Sequence, residues 1–260
     1  MPRAWMALAF AAALGPAAPL GAVELPVGAA VVEHVRALEA IDGATLRLAD
    51  ERTLRLANLV VPLPDLDRAG RRLEAAAERA RQHLAAFAPG ELGLLGAVPP
   101  VDRYRRVVAQ AAIGGRWVQG EMVVAGLAQV GVDAATRQWV APLLALEARA
   151  RASRAGFWGD GTFRVLSASA PGRFDEGFAI LEGRVEGLET RAGVTQLRFG
   201  TERTRALTVS VVAGQRAAFR AAGIEPPRLQ GQALRVRGTL RWFGGPMIEV
   251  SVPEQIERVR

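Results

Sequence analysis

The beginning of the sequence alternates between apolar and polar residues, which is typical of strands that bury one face. Two turn-forming pairs, Asp42-Gly43 and Asp50-Glu51, interrupt the alternation. Residues 66–87 instead place apolar side chains at helical spacing with Arg and Glu between them, and this pattern predicts an amphipathic helix. The strands predicted before that helix are residues 31–35, 45–48 and 53–56.

The region after this helix again changes from strand to helix. Pro89-Gly90 closes the first helix, and Gly114-Gly115 forms a turn between the next elements. The resulting order is three strands, a helix, two strands and two helices. The pattern predicts the later strands at residues 91–97 and 107–113 and the later helices at residues 118–127 and 140–154.

A second block of alternation predicts a similar order. Three strands precede a short helix at residues 216–222, which ends at Gly223, and two further strands are joined by Gly244-Gly245. This is the order of a five-stranded oligonucleotide/oligosaccharide-binding (OB) barrel. We therefore predict a mainly β chain of the α+β class that contains OB-like barrels. The strands predicted in the second block are residues 180–188, 195–199, 207–212, 234–242 and 247–252.

A small and polar stretch separates the two blocks. Residues 167–172 contain Pro171 and have the composition of a domain boundary. The predicted organisation is therefore a first domain at residues 23–165, a linker at residues 166–175 and a second domain at residues 176–260.

The first 22 residues have the pattern of a targeting segment. Arg3 precedes an apolar run at residues 5–14, and small residues then lead to Ala22. That run is shorter than the roughly 20 residues that a membrane-spanning helix needs. We expect residues 1–22 to be a signal peptide, the mature protein to be periplasmic or secreted, and no stable membrane insertion after cleavage. An uncleaved anchor is the alternative.

The composition restricts the chemistry more than it identifies it. Cysteine is absent, which excludes disulfides, thiolate nucleophiles and lipid attachment through cysteine. All 33 basic residues are arginine and the formal net charge is +7. Guanidinium groups bind phosphate and carboxylate bidentately. A general bias toward Arg and Ala explains the same excess, so charge alone does not identify a nucleic-acid partner.

Four short stretches carry a resemblance to a known family. They are residues 41–46 (IDGATL), 54–59 (LRLANL), 102–106 (DRYRR) and 126–130 (GLAQV) with the closing residues 155–158 (AGFW). Because these stretches have the order and spacing of that family's motifs, residues 31–160 resemble the thermonuclease family of staphylococcal-nuclease-like domains. The resemblance implies an OB-like five-stranded barrel of that type for the first domain, followed by the second OB-like barrel.

The resemblance also implies a chemistry. Members of this family usually hydrolyse phosphodiesters in DNA and RNA with a calcium ion held by carboxylates, two arginines that grip the phosphate and a glutamate that orients water. Arg55 and Arg106 match the two arginines, Asp42 matches a metal-site aspartate, and Thr45 is also retained. In the same loop as Arg106, Tyr104 and Arg105 are candidates for phosphate binding, and Arg105 replaces a glycine.

Three oxygen-bearing positions of the family pattern are apolar in this chain. They are occupied by Ala44, Val60 and Leu63. Because calcium takes 6–8 oxygen ligands, we expect little or no calcium binding and no other cofactor. A shifted alignment offers an alternative in which Asp65 replaces the missing glutamate as a catalytic residue, and calcium is then the cofactor.

The second block adds candidate binding residues. Arg235, Arg237 and Arg241 share one face of a strand that ends at Trp242-Phe243. Aromatic rings beside arginines on an OB-like barrel can stack bases, which makes Arg235, Arg237 and Trp242 candidates for nucleic-acid binding. The alternative is a barrel core with a solvated basic face.

The candidate residues of the first domain can also be explained by structural roles that involve no ligand. Arg55 and Arg106 are also compatible with strand arginines that pair with surface acids, and Asp42 with a simple turn residue. His34 and His83 lie on separate elements and are not expected to form a metal site.

These observations lead to one function hypothesis and two alternatives. The leading hypothesis is an exported thermonuclease-like protein that binds nucleic acid or another phosphate-bearing polyanion and is a weak or inactive nuclease. One alternative is an active metal-dependent phosphodiesterase that uses Asp42 and Asp65 in a rearranged site. The other is a non-catalytic interaction module of the cell envelope.

Overall fold

The computed structural model describes residues 22–64, 71–96, 101–169, 177–202 and 204–259. Residues 1–21 of the predicted signal peptide, Asp65, and residues 170–175 of the predicted linker lie outside these ranges. Within the described residues, no helix is both long and apolar enough to cross a membrane.

In the part of the first domain that the structure describes, there are eight strands and three α-helices. The strands are β1 (Val31–Asp42), β2 (Thr45–Leu48), β3 (Thr53–Leu56), β4 (Leu59–Val60), β5 (Gly90–Leu95), β6 (Val107–Ile113), β7 (Arg116–Trp117) and β8 (Gln129–Val130). The helices are α1 (Arg71–Ala85), α2 (Val118–Val124) and α3 (Val140–Ala152).

Five of these strands form a closed barrel. Strand β1 pairs antiparallel with β2 and β5, β2 pairs with β3, and β5 pairs with β6. The parallel pair β3–β6 closes the sheet on itself. Strands β4 and β8 form a separate antiparallel ribbon beside it. The closed five-stranded sheet confirms the predicted OB-like fold of this domain.

The alternation noted in the sequence explains the barrel interior. Leu46, Leu54 and Leu92 are completely buried, while the charged residues beside them, Arg47, Arg55 and Glu91, are partly or fully exposed. Helix α2 ends earlier than predicted because Gly126 adopts a positive φ and packs against the backbone oxygen of Ala155, where a Cβ atom would lie only 2.1 Å away.

The described residues from Val165 onward form the second domain's eight strands and one α-helix. The strands are β9 (Val165–Ser167), β10 (Gly177–Arg184), β11 (Gly187–Arg191), β12 (Val194–Arg198), β13 (Thr208–Val211), β14 (Ala233–Trp242), β15 (Pro246–Val250) and β16 (Ile256–Arg258), and the helix is α4 (Arg216–Ala221). The strand order is β11-β12-β13-β15-β14-β10-β9, in which β13–β15 and β10–β9 are parallel pairs.

The strands of the second sheet pair in the same order as those of the first barrel when β10 and β11 are counted as one strand. The single strand predicted at residues 180–188 is divided into β10 and β11, which stand at opposite ends of the β11-to-β10 path and are joined by Val185 and Glu186. Phe199, Phe219 and Leu234 are completely buried in its core. The start of the predicted linker, residues 166–167, belongs to β9, which pairs in parallel with β10.

Candidate functional site

Three candidate side chains lie in one row across the end of the first barrel. Asp42 on β1 is in register with Thr45 on β2, and Thr45 is in register with Arg55 on β3. Residues that face each other across a sheet project to the same side, so these three side chains are neighbours. The Oγ1 atom of Thr45 is buried and has no hydrogen-bond partner among the described residues.

Asp42 stabilises the turn that follows β1 and also belongs to the row that contains Thr45 and Arg55. Its Oδ1 atom accepts a 2.7 Å hydrogen bond from the backbone N–H of Ala44, as expected for an aspartate that begins a tight turn. The same oxygen lies 3.7 Å from Nη1 of Arg55. Both interpretations of Asp42, as a turn residue and as a member of the site, therefore fit its position.

Arg55 holds a positive charge that is only partly compensated. Its side chain is 22% exposed, and its Nη2 atom donates a 2.8 Å hydrogen bond to the backbone oxygen of Leu59. Burial lowers the pKa of Arg55, the negative charge of Asp42 opposes that shift, and the positive charge of Arg106 adds to it. An anion at this edge of the barrel would supply the missing compensation.

Arg106 is held by the tight turn that precedes β6. Nε and Nη2 of Arg106 each lie 2.8 Å from Oδ2 of Asp102, and Oδ1 of Asp102 accepts hydrogen bonds from the backbone N–H groups of Tyr104 and Arg106. Partial burial raises the pKa of Asp102, but these hydrogen bonds outweigh it, so the pKa is lowered overall.

Tyr104 and Arg105 lie at the exposed tip of this turn. The Tyr104 ring is 62% exposed and has the guanidinium carbons of Arg103 and Arg106 at 4.8 and 5.1 Å from its centroid, within cation–π distance. Arg105 has a φ of 62° and an exposed side chain. Because its side chain points into solvent, the replacement of a glycine at this position costs backbone strain rather than space.

The structure brings Arg55 and Arg106 to the same side of the β3–β6 pair. Arg55 is in register with Val108, two residues after Arg106. Beside Arg55 is a cavity of about 320 Å³, which Asp102, Asp133 and Thr136 also line. The Oγ1 atom of Thr136 is buried there without a partner among the described residues.

The described residues do not fit a calcium ion. Ala44, Val60 and Leu63 offer no side-chain oxygen, and Asp102 is held by Arg106. Across the ranges that the structure describes, no group of three or more His, Cys, Asp or Glu side chains is placed to hold a metal. Asp42 alone is far from the 6–8 oxygen ligands that calcium takes.

Arg237 does not lie where the sequence analysis placed it. Its side chain is 1% exposed, and it donates to Oε1 and Oε2 of Glu147 at 3.1 and 2.8 Å, to Glu257 at 2.6 Å and to the backbone oxygen of Val130 at 3.0 Å. This corrects the expectation that Arg237 contacts nucleic acid, because the first domain covers the strand face that carries it.

Glu147 is the residue that the sequence analysis missed. It is completely buried on α3, and its Oε1 atom also accepts a 2.8 Å hydrogen bond from the backbone N–H of Val130. Burial alone would lower the pKa of Arg237, but Glu147 and Glu257 outweigh it and raise that pKa. A glutamate inside a helix that also carries several arginines gives no sequence signal of such burial.

The other second-domain candidates divide between paired and exposed. Arg235 is 20% exposed and pairs with Glu182 at 2.7 Å and Glu257 at 3.6 Å, so its charge is largely compensated. Trp242 is 52% exposed at the end of β14. Of the candidates Arg235, Arg237 and Trp242, the tryptophan is therefore the one best placed to contact a partner.

Comparison with known proteins identifies part of the chain. Residues 60–160 match the family model described as "Staphylococcal nuclease homologue". No curated protein matches the sequence significantly. The matched segment contains Arg106 and the β4–β8 ribbon, whereas Asp42, Thr45 and Arg55 precede it.

Proposed function

Because residues 60–160 are a domain of the staphylococcal nuclease homologue family, we propose that this protein is an exported binder of nucleic acid or another phosphate-bearing polyanion with little or no nuclease activity. The family assignment suggests a nuclease or a nucleic-acid-binding protein. The restriction to binding is our proposal, and so is export, which rests on the targeting pattern of residues 1–22.

One observation carries the proposal. Arg55 and Arg106, whose side chains are 22% and 29% exposed, lie near each other at the barrel end, while Ala44, Val60 and Leu63 occupy positions where the family resemblance implies oxygen ligands. A half-buried guanidinium binds phosphate more strongly than a fully hydrated one because water competes less for it. Positioned arginines bind a phosphate group, but they do not by themselves generate a nucleophile from water.

A further feature supports phosphate binding at this place. The exposed Tyr104 ring offers a flat surface beside Arg106 on which a base can stack.

The test is a calcium titration in which cleavage and binding of DNA are measured in parallel across ionic strength. We expect binding that weakens steeply as salt rises, because arginine–phosphate contacts release counterions, and no robust cleavage. Robust calcium-dependent cleavage that Arg106→Ala abolishes would contradict the proposal.

The same assay separates the alternatives. An active phosphodiesterase with a rearranged site requires Asp42 and Asp65, so cleavage that survives both Asp42→Ala and Asp65→Ala excludes that site. An interaction module of the envelope would show no salt-dependent binding of DNA. Export is tested separately, by determining the N-terminus of the mature protein and the cell fraction that contains it.

A further inference from the structure

A groove of about 730 Å³ runs between the two barrels. Its wall on the second barrel contains Phe178, Trp242 and Phe243, and its wall on the first barrel contains Val60 and Val132. The volume is within the range of pockets that hold small organic groups. Polar side chains, among them Arg241, Glu249 and Gln255, also line it, so both domains build a groove that combines an aromatic wall with polar groups.

The aromatic wall is exposed at the tip of a hairpin. Trp242 is 52% exposed and Phe243 is 81% exposed, at the turn that joins β14 to β15. Trp242 is in register with Pro246, and the backbone N–H of Phe243 donates to Gly245 at 2.8 Å. The two rings thus belong to a hydrogen-bonded hairpin tip that offers flat apolar surface to a partner.

The groove adjoins the arginine site through one short ribbon. Val60 and Val132 line the groove, whereas their sequence neighbours Leu59 and Asp133 line the cavity beside Arg55. Leu59 is also the residue whose backbone oxygen holds Arg55. A ligand chain that crosses the β4–β8 ribbon would therefore enter both the groove and the arginine site.

Ion pairs join the two domains beside this groove. Arg237 of β14 binds Glu147 and the backbone oxygen of Val130 in the first domain. A second bond joins Arg137 to Glu254 at 2.7 Å. A buried ion pair and a peripheral one therefore both cross the interface at which the groove lies.

The charges of the groove differ from those of the arginine site. The charge of Arg237 is neutralised by its ion pairs with Glu147 and Glu257. The exposed side chains of Arg241 and Glu249, which also line the groove, carry opposite charges. A nearly neutral groove with aromatic walls has no preference for phosphate but suits flat, uncharged rings. Base–aromatic stacking is the interaction that such walls provide.

We propose that the groove binds the bases of single-stranded nucleic acid whose phosphates are held at Arg55 and Arg106. The proposal rests on the proposed function of these two arginines and adds the form of the ligand. In a duplex the bases are stacked on each other and the phosphates face outward, so a duplex cannot place bases on Trp242 and Phe243.

The first experiment compares two labelled strands of equal length by fluorescence anisotropy: an oligothymidylate and an abasic strand that keeps only the sugar-phosphate backbone. Trp242→Ala combined with Phe243→Ala should weaken oligothymidylate binding about tenfold and leave the abasic strand unchanged. Val212→Ala is the matched control, since it removes an apolar side chain that is 40% exposed on the second barrel outside the groove. The control should bind both strands like the unmodified protein.

The second experiment detects contact directly. Among the described tryptophans only Trp242 is exposed, so stacking of a base should quench a component of the fluorescence that Trp242→Phe removes while affinity is largely retained. Equal affinity for oligothymidylate and abasic strands, equal affinity for a duplex, or an aromatic double variant with full affinity would overturn the proposal.

Failure of the groove and failure of the arginine site give different results. If Arg55→Ala and Arg106→Ala leave the binding of both strands unchanged, the proposed function fails. If those variants weaken both strands equally but the aromatic variants weaken neither, the arginine site stands and the groove proposal fails.

Discussion

Two arginine clusters in this protein use the same side chain for different purposes. At the end of the first barrel, Arg55 is 22% exposed and its Nη1 atom lies 3.7 Å from the carboxylate of Asp42. Between the barrels, Arg237 is 1% exposed and binds Glu147 and Glu257 at 2.8 and 2.6 Å. Arg55 thus keeps positive charge available to a ligand, whereas the charge of Arg237 is neutralised inside the protein.

The comparison teaches that the carboxylates around an arginine decide its role. A guanidinium that is buried with two carboxylates has its charge compensated and its position determined, so it can only join parts of the protein. A guanidinium that is half-buried with one distant carboxylate still gains free energy when it binds an anion. Variants of Arg237, Arg55 and Arg106 test this distinction.

Removal of the buried arginine should destabilise the protein strongly. Arg237→Ala leaves the completely buried Glu147 without its main cation, and breaking a buried pair in this way typically costs about 3–5 kcal/mol. Urea denaturation followed by circular dichroism measures the loss. Arg137→Ala is the control, because its pair with Glu254 also crosses the interface but is 40% exposed at the arginine, and it should cost at most about 1 kcal/mol. Equal losses in the two variants would show that burial does not distinguish these pairs.

Removal of Arg55 or of Arg106 should instead weaken binding with little effect on folding. Arg55→Ala and Arg106→Ala each remove charge-assisted hydrogen bonds to phosphate, worth about 1.5–3 kcal/mol, and each should reduce the slope of log affinity against log salt by about one. Anisotropy titrations at several salt concentrations measure both quantities. Arg47→Ala is a suitable control, since Arg47 is an exposed strand arginine paired with Glu39. A loss of affinity in Arg47→Ala as large as in Arg55→Ala would mean that binding is non-specific.

Removal of the carboxylate beside Arg106 should strengthen binding modestly. Asp102→Asn keeps the oxygen that accepts from the turn N–H groups of Tyr104 and Arg106, but it deletes the negative charge that competes with phosphate. At the strength of partly exposed pairs, about 0.2–1 kcal/mol, the affinity at low salt should rise about two- to fivefold. The gain should disappear at high salt because screening removes it. Weaker binding by Asp102→Asn would show that the carboxylate positions Arg106 more than it competes.

The pH dependence of stability near neutrality should come from neither arginine cluster. His83 on α1 packs edge-on against Phe87, and burial lowers its pKa, an effect that Glu121 opposes. Because the unfolded chain then binds a proton at higher pH than the folded one, stability is complete above the ordinary histidine pKa and decreases as the pH falls through it. Denaturation midpoints between pH 8 and pH 5 should therefore flatten in His83→Gln, whereas His34→Gln, at an exposed position, should retain the slope. An unchanged slope in His83→Gln would exclude this origin.

Much of the fold was predictable from local pattern. The order of strands and helices follows from periods of two and of 3.6 residues, which depend on the sequence itself and not on distant contacts. The prediction of a mainly β chain with an OB-like barrel in the first domain is confirmed. The strand predicted at residues 180–188 is nevertheless divided, because a bend at Val185–Glu186 lets its two parts pair with different neighbours.

The site was predictable only where a short motif carried it. Arg55, Arg106 and Asp42 could be named because the IDG, LRL and DRYRR segments keep their order and spacing, and the structure places Arg55 and Asp42 in one row with Arg106 nearby. The groove could not be predicted from the sequence, because its walls come from segments that are more than 100 residues apart. Val60 and Trp242 illustrate this separation.

By itself, the sequence determined which residues share a strand face and that positions 44, 60 and 63 carry apolar side chains. Only the tertiary structure decided what covers each face. Periodicity placed Arg235, Arg237 and Arg241 on one side of β14, but the packing of α3 against that side buried the middle arginine and left the last one exposed. The physical reason is that periodicity is a local property of the backbone, whereas burial depends on which distant surface packs against a face.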